Sequence, residues 1–137
     1  MIPVILITHG NAAAALKVSA EMIIGAQETI YCLDFTPAEN TDALFRKISA
    51  TGIKSAALFL VDFPGGSPYN AAAMYCAAAG CGEVISGLNI PMLLNVLLER
   101  EEIAEITQLA SLACSSGIEG VTRMNLSDLN QHEEDDL

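Results

Sequence analysis

The chain has 137 residues, 52% of them hydrophobic, a mean hydropathy of +0.42, and 17 acidic against 6 basic side chains. That length suits one domain with a real core, and no apolar run approaches the ~18–20 residues that a bilayer span demands. A net charge of −11 argues against nucleic acid, which is bound by displacing counterions from phosphates with lysine and arginine.

Ile2–Ile7 is an apolar strand that ends at Thr8-His9-Gly10. No basic region precedes it, so it is not read as a signal peptide and a cytoplasmic location is expected. Asn11–Ile24 follows with Leu16, Ala20, Ile23 and Ile24 on one side at helical spacing, and Gly25 is placed to end the helix. Thr29–Phe35 reads as a second strand. Thr36 or Asn40, with Asn40 favoured, caps a helix whose apolar face is Ala43, Leu44 and Ile48, closed by Gly52. Ala56–Val61 is continuously apolar, as expected of a strand covered on both faces, and ends at Asp62.

Phe63-Pro64-Gly65-Gly66-Ser67 is a loop leading to an alanine-rich helix, Pro68–Ala79, with Ser67 as its cap and Met74, Tyr75 and Cys76 read as core. Glu83–Gly87 is a fourth strand. A short helix, Met92–Leu98, is expected next, and then one from Glu101 to about Ser115, its first-turn acids suiting the positive end of the dipole. Its stripe is Ile103, Ile106, Leu109, Ala110 and Ala113, and Gly117 ends it. Ile118–Arg123 is a possible last strand. The domain is taken as residues 1–124, with 125–137 a flexible acidic tail that includes the second histidine, His132.

The four cysteines (Cys32, Cys76, Cys81, Cys114) include no C-x-x-C pair, and buried reduced thiols are expected rather than disulfides or zinc. Gly65-Gly66-Ser67-Pro68-Tyr69 lacks the last glycine of a serine-hydrolase elbow, and Gly80-Cys81-Gly82 precedes a strand, unlike a dinucleotide fingerprint. Asn89 is equally readable as a turn residue before Pro91 or as part of a site.

Strands alternating with helices predict an open, doubly wound, mainly parallel α/β sheet in the order 2-1-3-4, with helices on both faces. In that order strands one and three are neighbours whose connections leave in opposite directions. His9 and Asp62 then meet in the crevice at their carboxyl ends. A carboxylate on one ring nitrogen fixes the tautomer and leaves the other nitrogen as a nucleophile. Gly65, Gly66 and Ser67 at a helix N-terminus offer N–H groups and a hydroxyl to a dianionic phosphoryl group. There is no Walker lysine, and no acid cluster suggests a metal, so no cofactor is expected and the phosphoryl group must arrive already activated on another protein.

Four stretches, Ile7-Thr8-His9-Gly10, Asp34-Phe-Thr-Pro-Ala-Glu-Asn40, Leu60-Val-Asp-Phe-Pro-Gly-Gly-Ser-Pro68 and Gly87-Leu-Asn-Ile-Pro-Met92, together resemble the IIA domain of the mannose family of the bacterial sugar phosphotransferase system. The resemblance runs from Ile2 to about Met124. It implies that His9 is phosphorylated by the histidine-containing phosphocarrier protein and discharged to a IIB component, here expected on a separate chain. It also implies that Asp62 is the hydrogen-bond partner of His9 and that Gly66 and Ser67 lie at the phosphate. A homodimer is implied in which Ile118–Arg123 pairs antiparallel with the partner's sheet. Members of that family often carry tryptophan where this chain has Asn11 and Pro64, positions expected to shape partner docking. The alternatives are the phosphocarrier subunit of a dihydroxyacetone kinase and a regulatory protein read out by its phosphorylation state.

Overall fold

The computed structural model describes residues 1–131. Its elements are β1 (Val4–His9), α1 (Ala12–Ile24), β2 (Ile30–Phe35), α2 (Thr41–Ala50), β3 (Leu58–Val61), α3 (Ser67–Ala79), β4 (Glu83–Ser86), α4 (Ile90–Glu99), α5 (Ile106–Glu119) and a 3-10 helix, Leu126–Gln131. The four strands form one parallel sheet in the order β2-β1-β3-β4, as expected from the alternation. His132 and residues 133–137 lie outside the described residues.

Alternation along β1 and β3 divides the core between two faces. Val4, Leu6, Leu58 and Leu60 face α1, α4 and α5 through Ala20, Leu93, Val96, Leu109 and Ala113. Ile5, Ile7, Phe59 and Val61 face α2 and α3 through Leu44, Ile48, Ala71 and Ala72. Both central strands are therefore buried on both sides, which is why they read as unbroken apolar runs. Alanines at 71 and 72 let α3 lie close to the sheet. Among the described residues, no helix is long and apolar enough to cross a membrane.

Several boundaries differ from expectation for identifiable reasons. The helix expected from Glu101 begins at Ile106, because Glu102 and Ile103 N–H groups turn back onto the Glu99 carbonyl after α4. Glu105 is its N-cap residue, and Glu101 and Glu102 sit in the turn. Gly117 does not end α5 but lies buried inside it, and a Cβ there would fall 2.7 Å from Met92 Cε. That glycine serves close helix packing. Ile118 and Glu119 consequently belong to α5, and within the single chain residues 120–125 form no strand.

Four side chains assigned to the interior are exposed: Ile23, Met74 and, among the thiols, both Cys81 and Cys114. All four cysteines are free; Cys32 and Cys76 are half-buried, and burial pushes the Cys76 thiol up to about 11. Within the segment expected as a tail, residues 126–131 form the 3-10 helix, with Leu126 and Leu129 exposed.

Candidate functional site

The site forms where β1 outruns β3. Ile7 pairs with Val61, the last residue of β3, while β1 continues two residues to His9. Asp62 follows Val61 directly and so reaches His9 from the neighbouring strand. Asp62 Oδ2 accepts the His9 backbone N–H at 2.9 Å and lies 2.7 Å from His9 Nδ1. Its other oxygen, Oδ1, accepts the Phe63 N–H at 3.0 Å. One carboxylate thus fixes the main chain of its neighbour strand, the imidazole and the start of its own loop.

Partial burial pushes the Asp62 carboxyl up, but the His9 N–H, the His9 ring, its charge and the Phe63 N–H together hold it below the ordinary 3.8. The carboxylate therefore stays ionised at neutral pH and directs the Nδ1 proton toward itself. His9 is 44% exposed at its side chain, and Nε2 makes no hydrogen bond among the described residues.

The loop after Asp62 brings the N-terminus of α3 against the ring. Gly65 turns the chain at φ +84°, a conformation that side chains rarely adopt, and Asn70 Nδ2 donates to its carbonyl at 3.3 Å. Gly66 is the N-cap residue, and Ser67, expected as the cap, is instead the first helical residue. A Cβ at Gly66 would lie 3.1 Å from His9 Cε1, so a side chain there would press the ring aside by a few tenths of an ångström. The first turn of α3 leaves the Gly66 and Ser67 N–H groups and the Ser67 hydroxyl without protein partners among the described residues. Free donors at a positive helix end beside a free imidazole nitrogen can hold an anionic group that Nε2 carries.

His9, Asp62, Gly65, Gly66 and Ser67 are thus brought together, whereas Asn89 is not part of the cluster. Asn89 caps α4, accepting the Met92 N–H at 2.9 Å and donating to the Gly117 carbonyl at 3.0 Å. Thr8 also acts structurally, its hydroxyl accepting the Ala13 N–H at 2.8 Å to cap α1. Two aromatic walls were not read from the sequence. Phe63 stacks on the His9 ring (centroids 5.3 Å, planes 25° apart), and Phe35 meets it edge-on (5.4 Å, 85°). The signal was positional: Phe35 is level with His9 in the sheet register, and Phe63 adjoins Asp62.

Fold and pair together define a doubly wound α/β protein with a histidine at the switch point, one nitrogen fixed by a carboxylate and the other free. A family model described as PTS system fructose IIA component matches residues 3–112. The PTS system mannose-specific EIIAB component of Escherichia coli (strain K12) is 42% identical over 124 residues, covering 88% of this chain and 38% of that one. The chain therefore spans less than half of that longer relative. The PTS system fructose-specific EIIA component of Bacillus subtilis is 34% identical over 138 residues, covering 91% and 94%. Among solved structures, the mannose/sorbose specific IIA subunit from Enterococcus faecalis superposes with a TM-score of 0.84 at 26% identity, covering 91% of this chain and 96% of that one. The chain belongs to the mannose-type IIA family of the phosphotransferase system.

Proposed function

We propose that this chain is a cytoplasmic phosphocarrier that takes a phosphoryl group onto His9 Nε2 from the histidine-containing phosphocarrier protein and passes it to a IIB component for sugar uptake. The observation that carries this reading is the 2.7 Å contact from Asp62 Oδ2 to His9 Nδ1, which occupies one ring nitrogen and leaves the other beside the N-terminus of α3. In the transfer, the Nε2 lone pair forms a bond to phosphorus as the bond from phosphorus to the donor's histidine nitrogen breaks, its electron pair leaving with that nitrogen. The Nδ1 proton stays in the hydrogen bond to Asp62, which stabilises the positive charge gathering on the ring. The free donors of Gly66 and Ser67 receive the phosphoryl oxygens, so the loose transition state meets preorganised dipoles.

The chain is further proposed to work as a homodimer. β4 is an open edge of the sheet, and after it Ile118, Val121 and Met124 are 74%, 77% and 66% exposed. Apolar side chains that far from their own core favour burial against a second copy, with the segment after α5 adding to the partner's sheet edge.

Phosphoenolpyruvate with the general phosphotransferase proteins should add one acid-labile phosphate to the wild type and none to His9→Ala. Asp62→Ala should fold and be phosphorylated roughly 10–100-fold more slowly. Full labelling of His9→Ala would overturn the assignment, and an unchanged rate in Asp62→Ala would remove Asp62 from the mechanism.

A further inference from the structure

We infer that Phe63 is a positioning residue that sets the plane of the His9 ring, and with it the direction in which Nε2 presents phosphorus to the N-terminus of α3. This rests on His9 being the phosphoryl carrier. A single hydrogen bond from Nδ1 to Asp62 fixes one point of the imidazole but leaves rotation about that point open. Three contacts close it. Phe63 lies against one face, with centroids 5.3 Å apart and planes 25° from parallel. Phe35 meets the ring nearly at right angles at 5.4 Å, held in place because it pairs with His9 in the sheet. Gly66 abuts the Cε1 edge.

The Gly66 contact is shared. A Cβ at that position would fall 3.1 Å from His9 Cε1 and 3.1 Å from Phe63 Cζ, so both rings border the space that a side chain at residue 66 would take. Cε1 lies between the two ring nitrogens, so fixing that edge against the N-cap residue of α3 places Nε2 next to the free donors of Gly66 and Ser67. Phe63 thereby couples the imidazole plane to the phosphate cradle. Phe63 is 51% exposed, so it contributes little to the core. Asp62 anchors its backbone N–H at 3.0 Å, so the residue that orients the ring's hydrogen bond also orients its stacking partner. An offset aromatic stack of this kind also favours the imidazole when it gathers positive charge during transfer.

The test uses two phosphoryl donors on the full chain. Phosphoramidate, a small donor, needs no docking surface; the phosphorylated histidine-containing phosphocarrier protein does. Phe63→Ala should slow labelling of His9 about three- to tenfold with both donors, with kcat falling and KM for the protein donor unchanged. Phe63→Leu, which keeps apolar bulk, should show a similar loss, and Phe63→Tyr should restore the rate to within about twofold. In nitrogen-edited NMR spectra, the His9 Nδ1–H signal should broaden in the alanine and leucine variants and return in the tyrosine variant. Equal rates in all variants, or a change confined to KM for the protein donor, would overturn the inference while leaving the carrier role standing. No labelling of wild-type His9 by either donor would overturn the carrier role itself, and the inference with it.

Discussion

Asp62 does several jobs with two oxygens, and its titration reports on them. Its folded pKa lies below the ordinary 3.8, so its contribution to stability is present above that pH and is lost as the pH falls through the folded value. The side chain is partly open to solvent, which limits that contribution to about 1 kcal/mol or less. Asp62→Asn should accordingly lose less stability than the wild type between neutral pH and pH below 3.8, measured as urea midpoints at each pH. Gly66 provides the complementary steric test. Its φ of −78° and ψ of 172° suit any residue, so Gly66→Ala should cost about 1 kcal/mol or less as a poorer cap. The added methyl should nevertheless displace the His9 ring, and labelling of His9 should drop roughly tenfold or more, read from single-turnover kinetics beside thermal denaturation.

At the scale of elements, helix starts are handled by residues outside the first turn. Asn11 stands at the N-cap position of α1 but makes no cap bond; the buried Thr8 hydroxyl, at the end of β1, accepts the Ala13 N–H instead. The residue before the catalytic candidate thus joins strand to helix and keeps the His9-Gly10 turn short. Thr8→Val preserves the shape and removes the acceptor, and should destabilise the fold by about 1 kcal/mol in urea unfolding. The β2–α2 turn is tied similarly. Asn40 accepts the Ala43 N–H at 2.9 Å, and Lys47 Nζ reaches both the Asp34 carbonyl at 2.8 Å and Glu39 Oε2 at 2.6 Å. The Lys47 bond, helped by the Thr36 N–H, holds the Glu39 carboxyl down at about 2. At the opposite end of the sheet, the buried Arg100 guanidinium donates to the carbonyls of Ile2, Glu28 and Thr29, gathering the segments that precede β1 and β2.

For the molecule as a whole, the two ends of the sheet carry different work: Arg100 closes the amino ends of the strands, and the site opens at the carboxyl ends. The free β4 edge and the exposed apolar residues after it belong to neither. A groove of about 430 Å³ lies there, lined in part by Ile85, Cys114 and Ile118. The expected mass in sedimentation equilibrium is that of two copies. Ile118→Asp combined with Val121→Asp should reduce it to one copy while His9 still takes up phosphate. A persistent two-copy mass would place the interface elsewhere.

Residue order alone determined that the chain folds as a parallel sheet with strands one and three adjacent, because apolar periodicity records which faces are buried and strand–helix alternation limits the connections. It also determined that a histidine and an aspartate end those two strands, so their meeting was legible before any coordinates. Tertiary structure decided what periodicity does not record. The stacking of Phe63 on His9, the tight space at Gly66 and the packing role of Gly117 arise from contacts between backbones brought within a few ångströms. Such distances depend on register and loop path summed over many residues. The same reason explains why Ile118 joined a helix: the small residue meant to stop that helix was used to let it approach α4.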